Sequence, residues 1–276
     1  MNKKLINAIG ALMIAGFAGS ASAATYSWSF TSMAPSSGGS HVVAPTGVVS
    51  GSYDGYARYT IEYQSMTYVS NGQSVNVQGF ANTASGSTIE SAYLTYQGAN
   101  GLGMTSRDLS ANDEVSSGYA NSGNGQHSLD NEGAMEGMLF TFGSEMNLDL
   151  VNIGWSGTDS DVTVYAYTGA AIADVNTTIL GKTFSTLQGW TKVGDAVGTG
   201  GFSGARDTAT PANLYSRYWL VTPGSISDYK DYVKIAGVTA ITKPSQPSTG
   251  VPEPASLALI GTALAGMIAV RRRKAA

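Results

Sequence analysis

The 276-residue chain has no cysteine and only two histidines, His41 and His127. Without thiols it holds no disulfide framework, thiolate metal site, cysteine nucleophile or iron–sulfur cluster. Two imidazoles with no thiolate are too few for an ordinary structural zinc site. Charge is sparse as well, at 12% of residues, and it is unevenly placed. Between residues 24 and 250 stand nine Lys and Arg against eighteen Asp and Glu, a net charge of -9. The other basic residues, Lys3, Lys4, Arg271, Arg272, Arg273 and Lys274, sit at the two ends. An acidic middle repels phosphate backbones, which argues against nucleic acid as a partner. No internal repeat is visible, against a solenoid or propeller. What remains is a chain that is 42% hydrophobic with fifteen Tyr, enough to bury a core.

The ends read as processing signals. Lys3 and Lys4 form a basic start, Leu5 to Ala18 is uncharged and mostly apolar, and Ala21-Ser22-Ala23 supplies the small side chains a signal peptidase accommodates. Residues 1–23 are therefore expected to be a signal peptide cut between Ala23 and Ala24 by signal peptidase. The alternative is a retained membrane helix, but the run is short for one. At the other end, residues 242–250 form a polar, Pro-bearing linker that cannot continue a strand ladder. Then follow Pro252-Glu253-Pro254, sixteen uncharged residues from Ala255 to Val270, and Arg271-Arg272-Arg273-Lys274. Sixteen helical residues rise about 24 Å, slightly short of the roughly 30 Å of a bilayer core. The basic cluster would stay cytoplasmic, leaving the acidic domain outside. The expectation is a short transmembrane helix that tethers the precursor to the inner membrane.

The order Pro252-Glu253-Pro254, apolar helix, Arg-rich tail over residues 251–276 resembles the PEP-CTERM sorting signal of exosortase-dependent bacterial surface proteins. The resemblance implies that exosortase is a partner, grips the Pro-Glu-Pro and cuts nearby. The helix would then be lost and the protein sent to the cell surface or extracellular matrix. A permanent C-terminal anchor is the alternative. His127-Ser128-Leu129-Asp130-Asn131, followed by Ile153-Gly154-Trp155 and Asp159-Ser160-Asp161, resembles a group of exosortase-dependent surface proteins, which implies location and fold but no reaction.

The middle shows no long helical period. Short alternating runs broken by Gly, Ser and Asn dominate: Tyr56–Tyr68, Ile89–Tyr96, Met138–Phe142, Leu148–Trp155, Val162–Tyr167, Arg217–Thr222 and Tyr232–Ile241. β-branched and aromatic residues fill them. The expectation is one all-β domain over residues 24–241, an antiparallel β-sandwich of jelly-roll type, with a helical turn near Asn176–Leu180.

Candidate chemistry is thin. No Ser has Gly at both the -2 and +2 positions, so the nucleophile elbow is absent, and His127 three residues from Asp130 reads as a turn before it reads as a relay. No catalytic residue is assigned. No cofactor is expected, although secretion exposes the chain to calcium, and Asp159, Asp161 and Asp130 could present hard oxygen ligands from loops. Trp28, Trp155, Trp190 and Trp219 are candidate sugar platforms; Trp155 and Trp219 read as core and Trp190 as surface. The expected function is an exported, exosortase-processed surface or matrix protein without catalytic activity, the alternative being a carbohydrate-binding module acting on extracellular polysaccharide.

Overall fold

A computed structural model describes residues 22–33, 41–52, 59–84, 87–106, 128–131, 134–157, 159–196, 201–224, 231–244 and 260–264, with 41–52, 59–62 and 196 described by backbone alone. Residues Ala24–Lys243 form one compact unit. Its strands are β1 (Thr25–Ser29), β2 (His41–Ser52), β3 (Tyr59–Ser70), β4 (Gln73–Ala84), β5 (Thr88–Tyr96), β6 (Leu102–Thr105), β7 (Leu129–Asp130), β8 (Glu136–Ser156), β9 (Val162–Tyr167), β10 (Trp190–Ala196), β11 (Gly204–Asp207), β12 (Ser216–Pro223) and β13 (Tyr232–Thr242). Every ladder between them is antiparallel.

The antiparallel all-β organisation read from the sequence is present, but the hydrogen bonding makes one continuous sheet. The reason is β8. At 21 residues and about 3.3 Å per residue it runs about 70 Å, and it changes partners midway. Its first half pairs with β4 and β12, its second half with β13 and β11. The sequence suggested two strands here, Met138–Phe142 and Leu148–Trp155, with Gly143, Ser144 and Glu145 between them. Those three residues are exposed while their neighbours Phe142 and Met146 are buried, so the strand continues through them. Three register shifts against β13 add twist to the second half. The ladders β8–β4, β4–β5, β5–β6, β6–β13 and β13–β8 therefore close into a ring.

Strands inside and outside that ring share a common core. Trp28 of β1 lies 5.1 Å from the Phe142 ring of β8. Phe30 lies 4.6 Å from Tyr68 of β3 and 6.0 Å from Phe140 of β8. Val162, Val164 and Ala166, the face of β9 read as apolar, enter the same cluster. The β3–β4 hairpin turns through Asn71-Gly72, both at positive φ (48° and 79°), which matches the right-handed twist of the paired strands.

A second, smaller core lies on the opposite side of β4, β5, β8 and β12. Phe80, Ile89, Leu139 and Leu220 are covered there by Val175 and Ile179. The cover is the segment from Thr168 to Gly189, which contains a short 3-10 turn at Val175–Thr178, where a helical turn was expected. Asp174 caps that turn by accepting the Asn176 amide at 3.0 Å. Backbone bonds Ile89 N to Lys182 O (2.7 Å) and Gly181 N to Ile89 O (2.8 Å) hold the cover to β5.

Met1–Ala23 and Pro244–Ala276 fall outside this unit. Ile260–Leu264 is helical. Among the described residues no helix is long and apolar enough to cross a membrane. The rest of the expected Ala255–Val270 helix, the signal residues 1–21, Pro252, Glu253, Pro254 and the Arg271–Lys274 cluster lie outside the described residues, as does His127.

Candidate functional site

The loop between β8 and β9 carries Asp159 and Asp161, and Asp231 immediately precedes β13. Three backbone contacts latch the loop to that strand end. Asp159 and Asp231 form an isolated parallel bridge, Gly157 N donates to Tyr232 O at 2.9 Å, and Tyr232 N donates to Asp159 O at 3.4 Å. The latch brings the three carboxylates together, one oxygen of each lying within 4.8 Å of the others. Asp231 is fully buried, while Asp159 and Asp161 are half-buried.

The surroundings satisfy Asp231 from both sides. Its Oδ1 accepts the Asp161 amide at 3.1 Å and its Oδ2 accepts Asn131 Nδ2 at 2.8 Å. Its own amide donates to Asn131 Oδ1 at 3.1 Å, which fixes the orientation of that side chain. Burial nonetheless pushes the Asp231 carboxyl up to about 7, and the Asp161 and Asp159 charges push the same way against the hydrogen bonds. Ser160 between the two loop aspartates accepts Arg206 Nη2 at 2.6 Å, and that guanidinium stacks 3.8 Å from the centre of the Phe202 ring. Such a cluster can hold a proton near neutral pH or take a hard cation. As a calcium set it offers three ligands where calcium takes six to eight.

Two members of the trio, Asp159 and Asp161, are those the sequence pointed to. Asp130 is not the third. It pairs with Tyr232 across the β7–β13 ladder, it is buried, and its amide donates to Glu136 Oε2 at 3.0 Å. Its neighbour Asn131 is the residue that reaches the cluster, and Asp231 completes it from 70 residues beyond Asp161. No local spacing links positions so distant, so the sequence carried no signal for Asp231.

Beside the cluster lies a cavity of about 520 Å³, walled by Asp161 of the β8–β9 loop, by Tyr165, Lys192 and Asp195 from β9 and β10, and by Phe184 of the cover. Asn82 of β4 lines it as well. Asp161 belongs to both cavity and cluster, and Gly224 lines the cavity against them; a Cβ there would come 2.7 Å from both Asp161 Cβ and Asp231 Oδ2. Phe184 is seated over Gly137 of β8, where a Cβ would lie 3.1 Å from its ring. Lys192 Nζ is 2.7 Å from Asp195 Oδ1, which also accepts Thr163 Oγ1 at 2.8 Å. Desolvation disfavours the Asp195 carboxylate, but the bonds from Lys192 and Thr163 and the Lys192 charge outweigh it and hold the group below the ordinary carboxylate range.

The tryptophans divide differently from the reading by run. Trp219 is core, as expected, with Nε1 donating to Ser216 O at 3.0 Å and Met146 O at 3.2 Å. Trp28 is also core. Trp155 is not; it is partly exposed with Lys234 Nζ 4.6 Å over its ring, two residues beyond the last buried position of β8, Ile153. Trp190 is partly buried, packed edge-on against Tyr167 at 5.5 Å and donating to Thr178 Oγ1 at 2.9 Å. It helps to anchor the cover.

The model of the PEP-CTERM protein-sorting motif matches residues 250–274. No curated protein and no solved structure matches the chain. The C-terminus thus carries the PEP-CTERM sorting motif, which implies recognition by an exosortase and an exported, membrane-passing precursor processed for the cell surface.

Proposed function

We propose that the Ala24–Lys243 unit is a non-catalytic surface domain, exported behind a signal peptide cut between Ala23 and Ala24, tethered briefly by the C-terminal apolar helix, and released by exosortase to the envelope or matrix. The matched sorting motif carries this reading. We read the folded-over sheet as a jelly-roll-like sandwich, supported by the shared core between β1, β13 and the first half of β8. Among the described residues, the state of two carboxyl groups speaks against glycoside hydrolysis. Hydrolysis of a glycoside needs one raised, accessible carboxyl acting as acid beside an ionised partner. Asp195 at the cavity is held ionised by Lys192, and the raised carboxyl, Asp231, is fully buried behind Gly224. Fractionation of strains with and without the exosortase tests the sorting. The tail should be lost and the protein should reach the surface only where the enzyme is present; an intact inner-membrane form in both strains would overturn it.

The second reading is a carbohydrate-binding module, favoured by the cavity, which puts aromatic rings and hydrogen-bonding groups in one concave site. A glycan array tests it, and a blank array removes it.

A further inference from the structure

We infer that the groove filled by β1 is also a docking site for a second copy of this chain. In the linked form residues 24–33 of one copy lie on β13 of another, so copies are joined by exchange of this strand. The inference goes beyond sorting and beyond glycan binding, and it stands or falls apart from both.

The groove is built for one strand. The β1–β13 ladder runs from Ala24 opposite Thr242 to Phe30, whose amide donates to Ala236 O at 2.7 Å. Along it Trp28 and Phe30 are fully buried against Phe142, Tyr68 and Phe140, the largest side chains that β1 carries into the core. Trp28 Nε1 donates to Gln73 O at 3.0 Å, and Tyr96 Oη donates to Thr31 O at 2.8 Å just past the strand. Gly237 lets the backbones approach, since a Cβ there would strike the Trp28 carbonyl. Without β1 this would be an open sheet edge above an apolar hole, and the segment of matching shape is residues 24–33 of this sequence.

Topology makes β1 the strand to exchange. It is five residues long and first in the chain, and among the described residues its ladder partner is β13, the last strand. Its pairing therefore has the longest sequence separation in the unit, and it forms after local hairpins such as β3–β4. Two copies that have each formed the remaining ladders present the same groove to either β1. Residues 34–40, Ala-Pro-Ser-Ser-Gly-Gly-Ser, join the segment to β2 and span up to about 25 Å when extended. Exchange keeps every contact of the closed chain, so what it costs is the association of two copies. Delivery of many copies to one surface lowers that cost by raising their local concentration.

The test uses the absence of cysteine, which makes any introduced thiol unique. Ser27 and Thr239 face each other across the ladder at the surface, their hydroxyl oxygens 2.9 Å apart. Ser27→Cys and Thr239→Cys are produced as two separate chains in the same cells, and the released protein is oxidised and mapped by peptide mass. We expect a disulfide joining position 27 of one chain to position 239 of the other, in tenfold or greater excess over links between like positions, and lost with dithiothreitol. Both substitutions on one chain provide the control, because a link inside that chain shows that the register forms and oxidises. Links found only inside that doubly substituted chain, with none between separate chains, would overturn the exchange. Links between like positions at the same yield would also overturn it, as chance collision. A doubly substituted chain with no link at all would remove the β1–β13 register itself, and the exchange with it.

Discussion

Ala24 and Thr242 clasp each other where the domain begins and ends: Ala24 N donates to Thr242 Oγ1 at 2.9 Å, and Thr242 N donates to Ala24 O at 2.8 Å. They extend the β1–β13 ladder, which runs from Thr25 opposite Ile241 to Ser29 opposite Gly237. The first residue after the expected signal cleavage is thus bonded to the residue that opens the linker to the sorting motif. The ladder joins the first strand of the unit to the last, so it closes only once β13 is in place.

Thr242→Val should remove the side-chain half of the clasp while keeping the backbone bond. One exposed hydrogen bond is worth about 0.5–1.5 kcal/mol. A small drop in melting temperature is expected, read by circular dichroism, with more rapid amide exchange confined to β1. Exchange that quickens equally in β9 and β12 would contradict a local role.

Asp231 sets a pH dependence whose sign follows from its raised carboxyl. Its ordinary value is 3.8 and its folded value about 7. Between the two, the folded state binds more protons than the unfolded state, so stability falls as pH rises from about 4 to about 7 and levels off above. Thermal melts in EDTA across this window should show that fall, and Asp231→Asn should flatten it whatever its absolute stability. The lowered Asp195 acts only below the ordinary carboxylate range, outside the window.

Gly224→Ala should be costly for lack of space. The new Cβ would meet Asp161 Cβ and Asp231 Oδ2, both at 2.7 Å, in a buried place with little room to yield. Overpacking of this kind costs about 1–3 kcal/mol. Chemical denaturation would measure it, and a weaker pH dependence is expected alongside as the cluster opens.

Gly72→Ala should be costly for a different reason. Nothing lies within 4 Å of its Cβ position, but φ is +79°. The penalty is therefore conformational, on the order of 1 kcal/mol. Replacement by a D-alanine through chemical ligation should abolish it, a rescue that steric crowding would not permit.

The sequence by itself determined the address and the local strands. Sorting signals are read by other proteins as linear segments, so Pro252-Glu253-Pro254, the apolar run and the Arg cluster are legible without a fold. Alternation is equally local: Val162–Tyr167 read as a strand and is one. Tertiary structure alone decided the rest. Whether Gly143-Ser144-Glu145 turns or continues depends on β13 and β11 waiting beyond it to pair with β8. Whether Trp155 is core depends on how far along that long strand burial extends: Ile153 is buried and Trp155 is not. The acidic trio and the cavity are assembled from segments far apart in the chain, from Asn82 through Asp161 and Asp195 to Asp231, and carboxylates gain their shifted chemistry only from burial and from neighbours that no spacing in the chain records.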